Sequence, residues 1–498
     1  MTIPAITRND GLTLGRCTIG HNAGTPFHLR YNDLVRHVLA IGATGSGKTV
    51  ALKRIVESMI VDGIPVVAID VLGDLSGLAV PARRDYLTQI GLEPVTLTLS
   101  DADRKAVSDM GEAYEKRVHA RVLTPCSDIA ERMALSPLAG RPKNFDELCT
   151  SDRDYLVLQA DTAAANFMSR LGLTLKLARK QTGPDMVRGI ITDALMNAWE
   201  ENLDLDGIEG LKRFSAHLEG WGAPPLPKEA LSKVQEGVRA MSVGAEALWS
   251  RGVSMDFDEL LSVPDGKVPL VVINIEHLSR DQHPWVVSQV IIALSSWAAS
   301  RGPVTGRPRV GLLIDELAGE GGGNALLPGA NFRSLSGDSI RKVLRQGRHW
   351  DLSLLAGTQS PRDVDGKSFV NFTNRLIGML KTTRDVDSAL EGAQIRENSR
   401  DVLGRMIGGA KQGNLYALTA SGGFESVQIQ WLCTVHSKLS GEQFRKLYEM
   451  GVIKRSSDQP AAVRPDLVGS LTRFTAQFRE RLDPKDRDIL RAMADRYR

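Results

Sequence analysis

At 498 residues, 42% hydrophobic and 24% charged, the chain is too long for one small domain and too apolar to be dominated by disorder. Its 62 basic and 59 acidic residues leave a net charge of +3, which neither requires nor excludes a nucleic-acid partner. Cys17, Cys126, Cys149 and Cys433 form no CxxC pair and have no histidine at metal spacing, so they read as reduced thiols.

In chain order, the opening stretch MTIPAITRNDGLTLGR lacks the apolar core of a signal peptide. Residues 1–35 hold short β-like pieces, LTLGRCTIG and PFHLRY. Next, HVLAIG (His37 to Gly42) ends in glycine and runs into the helical pattern KTVALKRIVESMIVDG, which predicts strand, loop, helix. IPVVAID (Ile64 to Asp70) is a continuous apolar run of the kind found in buried parallel strands. Residues 127–264 turn mostly helical and read as an insertion. Strand-like runs then return from Val268, Arg309, Leu352, Arg375, Gly413 and Ser426. Alternation of strands and helices predicts a parallel sheet with crossover helices, built from residues 36–126 and 265–450. Residues 451–498 read as a linker and a basic helical tail. No run reaches the roughly 18 apolar residues of a membrane span. The best candidate, Val286 to Ala299, carries three serines and reads as a buried helix. No membrane partner and a cytoplasmic location are therefore expected.

The segment Gly42-Ala43-Thr44-Gly45-Ser46-Gly47-Lys48-Thr49 matches G-x-x-x-x-G-K-[ST] at every defined position. Its glycines let consecutive backbone N–H groups turn around phosphate oxygens, and the helix that follows adds its N-terminal positive end. Lys48 is expected on the β- and γ-phosphates of ATP, and Thr49 on Mg²⁺. In VGLLIDE, Asp315 at the end of a buried strand is expected to hold Mg²⁺ with Thr49, and Glu316 to polarise the attacking water. LLAGTQSP ends another strand in Thr358 and Gln359, where the amide of Gln359 suits a γ-phosphate sensor. Asp70 and Asp74 follow the second strand and either organise magnesium waters or cap the next helix. Arg341, Arg345 and Arg348 have i, i+4, i+7 spacing and are expected on one helix face. They read either as a solvated basic face or as a source of an arginine that stabilises transition-state charge, in the chain's own site or a neighbour's. Together these features predict an α/β chain of the RecA-like (additional-strand) P-loop NTPase type with a mostly helical inserted subdomain.

The order of these motifs, with IDVLGDLSGLA and RQGRHWDLSLLAGTQSPRDVD between and after them, resembles HerA-like members of the HerA–FtsK superfamily. The likeness spans roughly residues 10–435. It implies an ATP- and Mg²⁺-dependent DNA translocase or helicase motor, a homohexameric ring around DNA, and a nuclease or other effector partner in DNA processing or phage defence. It also implies that Arg36 acts on a neighbouring subunit's ATP, and that Arg345 or Arg348 is a second active-site arginine. Archaeal HerA carries a longer N-terminal barrel that docks its nuclease. Here the phosphate loop starts at Gly42, which points to a shorter docking surface or a different effector. A regulatory ATPase scaffold for a partner enzyme is the alternative, and a secretion or conjugation coupling ATPase the third reading. Candidate DNA contacts are Arg333 in the glycine-rich loop and Lys176, Arg179 and Lys180 in the helical insertion.

Overall fold

Short, wholly apolar runs make the centre of the molecule. β3 (Val38–Ile41), β4 (Val66–Asp70), β7 (Val268–Asn274), β8 (Val310–Ile314) and β9 (Leu352–Thr358) are buried at every position. Such strands need cover on both faces, the environment of a parallel sheet. In the computed structural model the described residues run from 10 to 456, excepting chiefly 94–98, 174–183, 319–324, 329–333, 393–396 and 421–423. Arg333, Lys176, Arg179, Lys180 and the tail from 457 onward lie outside them. The chain divides after Lys454 into a large unit and a short C-terminal one.

Within the large unit the remaining strands are β1 (Gly11–Cys17), β2 (Pro26–Arg30), β5 (Val118–Pro125), β6 (Glu131–Met133), β10 (Asn374–Ile377), β11 (Asn414–Leu418) and β12 (Phe424–Ile429). The described strands join one sheet in the order β2-β1-β12-β11-β10-β3-β9-β8-β4-β7-β5-β6. From β10 to β6 every pairing is parallel. The β2-β1-β12-β11 flank is antiparallel, joined to β10 by an antiparallel pairing. The parallel sheet expected from the sequence thus gains an antiparallel wing, in which β1–β2 and β11–β12 are hairpins with short links, while a helical connection precedes β11 and β1 joins β12 from the far end of the chain. Residues 11–30 are part of that wing. β5 escapes the apolar pattern because His119, Arg121 and Thr124 interrupt it, yet all three are buried, and Arg121 pairs with Glu131 at 3.0 Å.

Ten helices of nine or more residues are described: α1 (Lys48–Val61), α2 (Asp101–Arg117), α3 (Arg153–Arg170), α4 (Pro184–Glu200), α5 (Gly207–Gly220), α6 (Lys228–Ala240), α7 (His283–Ala299), α8 (Leu335–Gln346), α9 (Glu397–Gly408) and α10 (Gly441–Glu449). Two apolar cores cover the two faces of the sheet. Leu39 and Ile41 face one while Val38 and Ala40 face the other, the alternation a strand imposes. α3 to α6 enclose a third core between Leu138 and Met241, with Phe167 edge-on to Phe214 at 5.7 Å. β6 and the stretch from Trp249 to Leu260 pack with the main core instead.

α1 is buried on nearly all sides, including Lys53, Arg54 and Glu57. Glu57 accepts from the N–H groups of Cys433 and Thr434 at 2.9 Å each and from the Thr434 hydroxyl at 2.8 Å, and pairs with Arg54 at 3.3 Å. Lys53 donates to the carbonyls of Asp74 and Val435 at 3.0 and 2.7 Å; burial brings its pKa down to about 8. These bonds tie α1 to the segment after β12. Replacing one member of such a buried set leaves charge and N–H groups unpaired. Glu57→Ala is therefore expected to lower the unfolding free energy by about 3 kcal/mol or more, read from the midpoint of chemical denaturation.

Candidate functional site

The register β3–β9–β8–β4 brings four strand ends to one edge. Ile41 lies beside Thr358, Ala356 beside Ile314, and Ile314 beside Ile69. β9 sits between the strand that feeds the phosphate loop and the strand that leads into Asp315, which is the additional-strand arrangement. The loop from Gly42 to Gly47 then turns into α1, whose first residue is Lys48. Gly47 adopts φ 100°, and an added Cβ would stand 3.1 Å from the Cα of Gly413. A side chain there is strained twice, by conformation and by contact. The N-terminus of α1 has no side-chain cap, so its N–H groups remain for an anion.

Neighbouring strands hold the loop. Gly42 N–H donates to the Thr358 carbonyl at 3.3 Å, Ala43 N–H to the Met379 carbonyl at 2.9 Å, and Gly413 N–H to the Ser46 carbonyl at 3.4 Å. Met379 and Gly413, on the connections after β10 and before β11, were not among the candidates; their only sequence signal is a glycine beside each strand. Lys48 folds back and donates to the carbonyls of Gly42 and Ala43 at 2.7 and 3.3 Å. Burial lowers its pKa, and the charges of Glu316 and Asp315 oppose that shift. Thr49 is half-buried one residue further along. Thr44 donates to the Gln359 side-chain carbonyl at 2.7 Å, so the expected sensor already touches the loop.

Asp315 and Glu316 follow β8 and are each 5% exposed. Neither carboxylate oxygen of Asp315 has a hydrogen-bond partner among the described residues. Its pKa is raised well above the usual range by burial first, then by the charges of Asp70, Glu316 and Asp74. β9 passes close behind it: a Cβ on Gly357 would fall 2.3 Å from the Asp315 carbonyl oxygen. Glu316 accepts from the Ala318 N–H at 3.1 Å; burial raises its pKa, with Lys48 acting against the shift. Asp70 resolves toward the capping role. It accepts from the N–H groups of Gly73 and Ser76 at 2.7 Å each and from the Ser76 hydroxyl at 2.6 Å, at the start of the 3₁₀ turn Leu75–Ala79.

An uncapped helix start, a buried lysine resting on loop carbonyls and a buried carboxylate without a donor fit a magnesium nucleotide. The loop amides and Lys48 would take the phosphates, and Thr49 with Asp315 the metal.

The arginines lie elsewhere. Arg36, Arg345 and Arg348 line one cavity of about 290 Å³ with His37, Asn371 and Thr373. All three arginines are exposed. Arg36 and His37 immediately precede β3, so the cavity opens at the N-terminal edge of the sheet. β3 alone, four residues long, separates it from the phosphate loop by about 13 Å. The shared helix face expected for Arg341, Arg345 and Arg348 is corrected here. α8 ends at Gln346, Arg348 stands on the 3₁₀ turn Gly347–Trp350, and Arg341 turns to Asp365 and Asp338 at 3.1 Å each. His37, at φ 68°, accepts from the Leu354 N–H at 3.1 Å, and burial lowers its pKa to about 4.

Residues 18–107, which span the phosphate loop, match the family described as Helicase HerA-like C-terminal, and bear out the HerA-like reading of the motifs. No curated protein matches the chain. Among solved structures it is similar to VirB4 of Thermoanaerobacter pseudethanolicus, at 13% identity over 85% of this chain and 97% of that one, TM-score 0.48. It is also similar to the bacterial conjugative coupling protein TrwB, unbound, at 16% identity over 86% and 91%, TM-score 0.47. For TrwB in complex with ADP and Mg²⁺ the values are 17%, 83%, 89% and 0.47. At these identities the likeness concerns the fold alone. Among the described residues no helix is long and apolar enough to cross a membrane.

A carboxyl whose folded pKa exceeds its unfolded value binds more protons folded than unfolded. Its cost is absent below the unfolded pKa and grows as pH rises toward the folded one. Asp315→Asn removes that cost, so the nucleotide-free variant should melt above the wild type at neutral pH, by a margin that shrinks on acidification. The same variant should lose magnesium-dependent nucleotide binding, measured by calorimetric titration with and without chelator. A lower melting temperature would mean that Asp315 has a donor in solution.

Proposed function

We propose that this protein is an ATP-driven, HerA-like DNA translocase or helicase motor that works as a homohexameric ring with a nuclease or other effector partner. The observation that carries this reading is the separation of Arg36, Arg345 and Arg348 from the chain's own phosphate loop. That they gather at the opposite edge, with no ion pair among the described residues, supports a reading in which they serve the phosphates of a neighbouring copy. In a ring, the arginine edge of each subunit then meets the phosphate-loop edge of the next.

In that arrangement Lys48 and the loop amides hold the phosphate oxygens, and Thr49 and Asp315 hold the magnesium. Bound Mg²⁺ supplies neutralisation of the phosphate charge. Glu316, whose pKa is raised by burial, orients a water and takes its proton. Burial of Glu316 excludes competing solvent. Gln359, bonded to Thr44, links the state of the loop to β9 and so to the far end of that strand, where Leu354 bonds His37. Arginine charge from the neighbour completes the site.

ATP hydrolysis, measured with and without double-stranded DNA alongside mass in solution, tests the motor. DNA-stimulated turnover from a hexamer, lowered about 100-fold or more in Glu316→Gln, is expected. Hexamers whose slow turnover ignores DNA would favour the scaffold reading. Mixing tests the shared site. Arg345→Ala/Arg348→Ala protein should fall about 10³-fold in kcat and regain part of its activity in rings mixed with Lys48→Ala protein. Absence of any recovery would place the arginines outside catalysis.

A further inference from the structure

A second cleft, of about 700 Å³, opens between α7 and the helical core, and none of its lining residues belongs to the nucleotide site. One stripe of α7 forms a wall: Gln289, Ile292, Ala293, Ser296 and Trp297 recur at i, i+3, i+4, i+7 and i+8. The turn after α4, carrying Asp204 and Asp206, faces it, and Asp256 closes one end.

The polar groups of this cleft are unequally committed. Asp204 is paired with Arg213 at 2.5 Å, and Asp256 caps its own helical turn by accepting from the Asp258 N–H at 2.9 Å. Arg141, the one cationic side chain among the described lining residues, is spent on the Trp199 carbonyl at 2.8 Å and Asp146 at 2.7 Å. The carboxylate of Asp206 takes no hydrogen bond and no ion pair among the described residues, although it stands at the start of α5. Its field adds to those of Asp204 and Asp256. Gln289 is 5% exposed and lines the cleft, yet its amide also has no partner among the described residues. The adjacent Ser288, by contrast, bonds Ser339 at 2.7 Å. Gln289 is thus a nearly buried side chain whose amide meets the cleft and bonds no described residue, which leaves it for a polar ligand. Asp204, Asp206 and Asp256 do not gather closely enough to hold a metal ion among themselves. Ile292 and Trp297 add an apolar wall suited to methylene groups.

We propose that this cleft binds an elongated organic cation of the di- or polyamine class, with an ammonium donating to Asp206, another N–H donating to the Gln289 carbonyl, and the aliphatic body lying against Ile292 and Trp297. Calorimetric titration of the full-length, DNA-free protein with spermidine at fixed ionic strength tests it, with magnesium chloride at equal ionic strength as the competing arm. Saturable binding to the wild type is expected, weakened about tenfold in Asp206→Asn and in Gln289→Leu, the loss expected for a hydrogen bond to a charged group. Both variants should keep the wild-type melting temperature, because neither residue has a partner to lose. Asp206 is exposed, so its variant keeps the test open should Gln289→Leu fail to fold. Binding that is absent, equal in both variants, or abolished by magnesium at matched ionic strength would overturn the assignment.

Discussion

A carboxylate buried without a donor is one of the costlier things a fold can contain, and Asp315 is such a group. Much of the surrounding architecture serves to place it. β8 delivers it to the C-terminal edge of the sheet, and β9 runs close enough behind its backbone that only glycine fits at 357. Asp70, Asp74 and Glu316 add negative charge, and Lys48 offsets part of it while resting on the carbonyls of its own loop. That negative charge suits a cation brought in with nucleotide phosphates. That is the physical reason for reading the edge as a magnesium-nucleotide site and not as a set of helix caps, although Asp70 does cap the turn after β4.

A parallel sheet has polarity, and the polarity sorts the charged groups. Strand ends that carry carboxylates, the phosphate loop and Gln359 share one edge. The residues that start β3 and the turn before β9 share the other, with Arg36, Arg345 and Arg348 around one cavity. His37 holds these two starts together through Leu354, and the side chain of Asn374 donates to the carbonyls of Asp33 and His37 at 2.7 and 2.9 Å. An arginine anchored this way cannot reach across the sheet to its own loop. Its positive charge is available at the surface.

The helical core is coupled to that arginine edge through α7 and α8. Ser288 and Ser339 bond between the two helices, and the ammonium of Lys342 on α8 lies 4.7 Å from the centre of the Tyr155 ring on α3. Burial lowers the pKa of Lys342 to about 8. The helical core and α8, which carries Arg345, are thus in direct contact.

What the sequence determined by itself was the chemistry carried by consecutive residues. Gly42 to Thr49, the run into Asp315 and Glu316, and the run into Gln359 are local patterns, and each was legible because strand, loop and side-chain type adjoin along the chain. The buried parallel strands were equally plain, since both faces of such a strand are apolar. β5 was not, because His119, Arg121 and Thr124 break the apolar run, and Arg121 is paired only once β6 lies beside β5 and brings up Glu131. Tertiary structure alone decided the antiparallel wing, the turning of Arg341 to Asp365, the capping by Asp70, and the meeting of Arg36 with Arg345 and Arg348 across some three hundred residues of chain. Those outcomes depend on strand order and on which end of a strand a residue occupies, and neither is encoded in any short window of sequence.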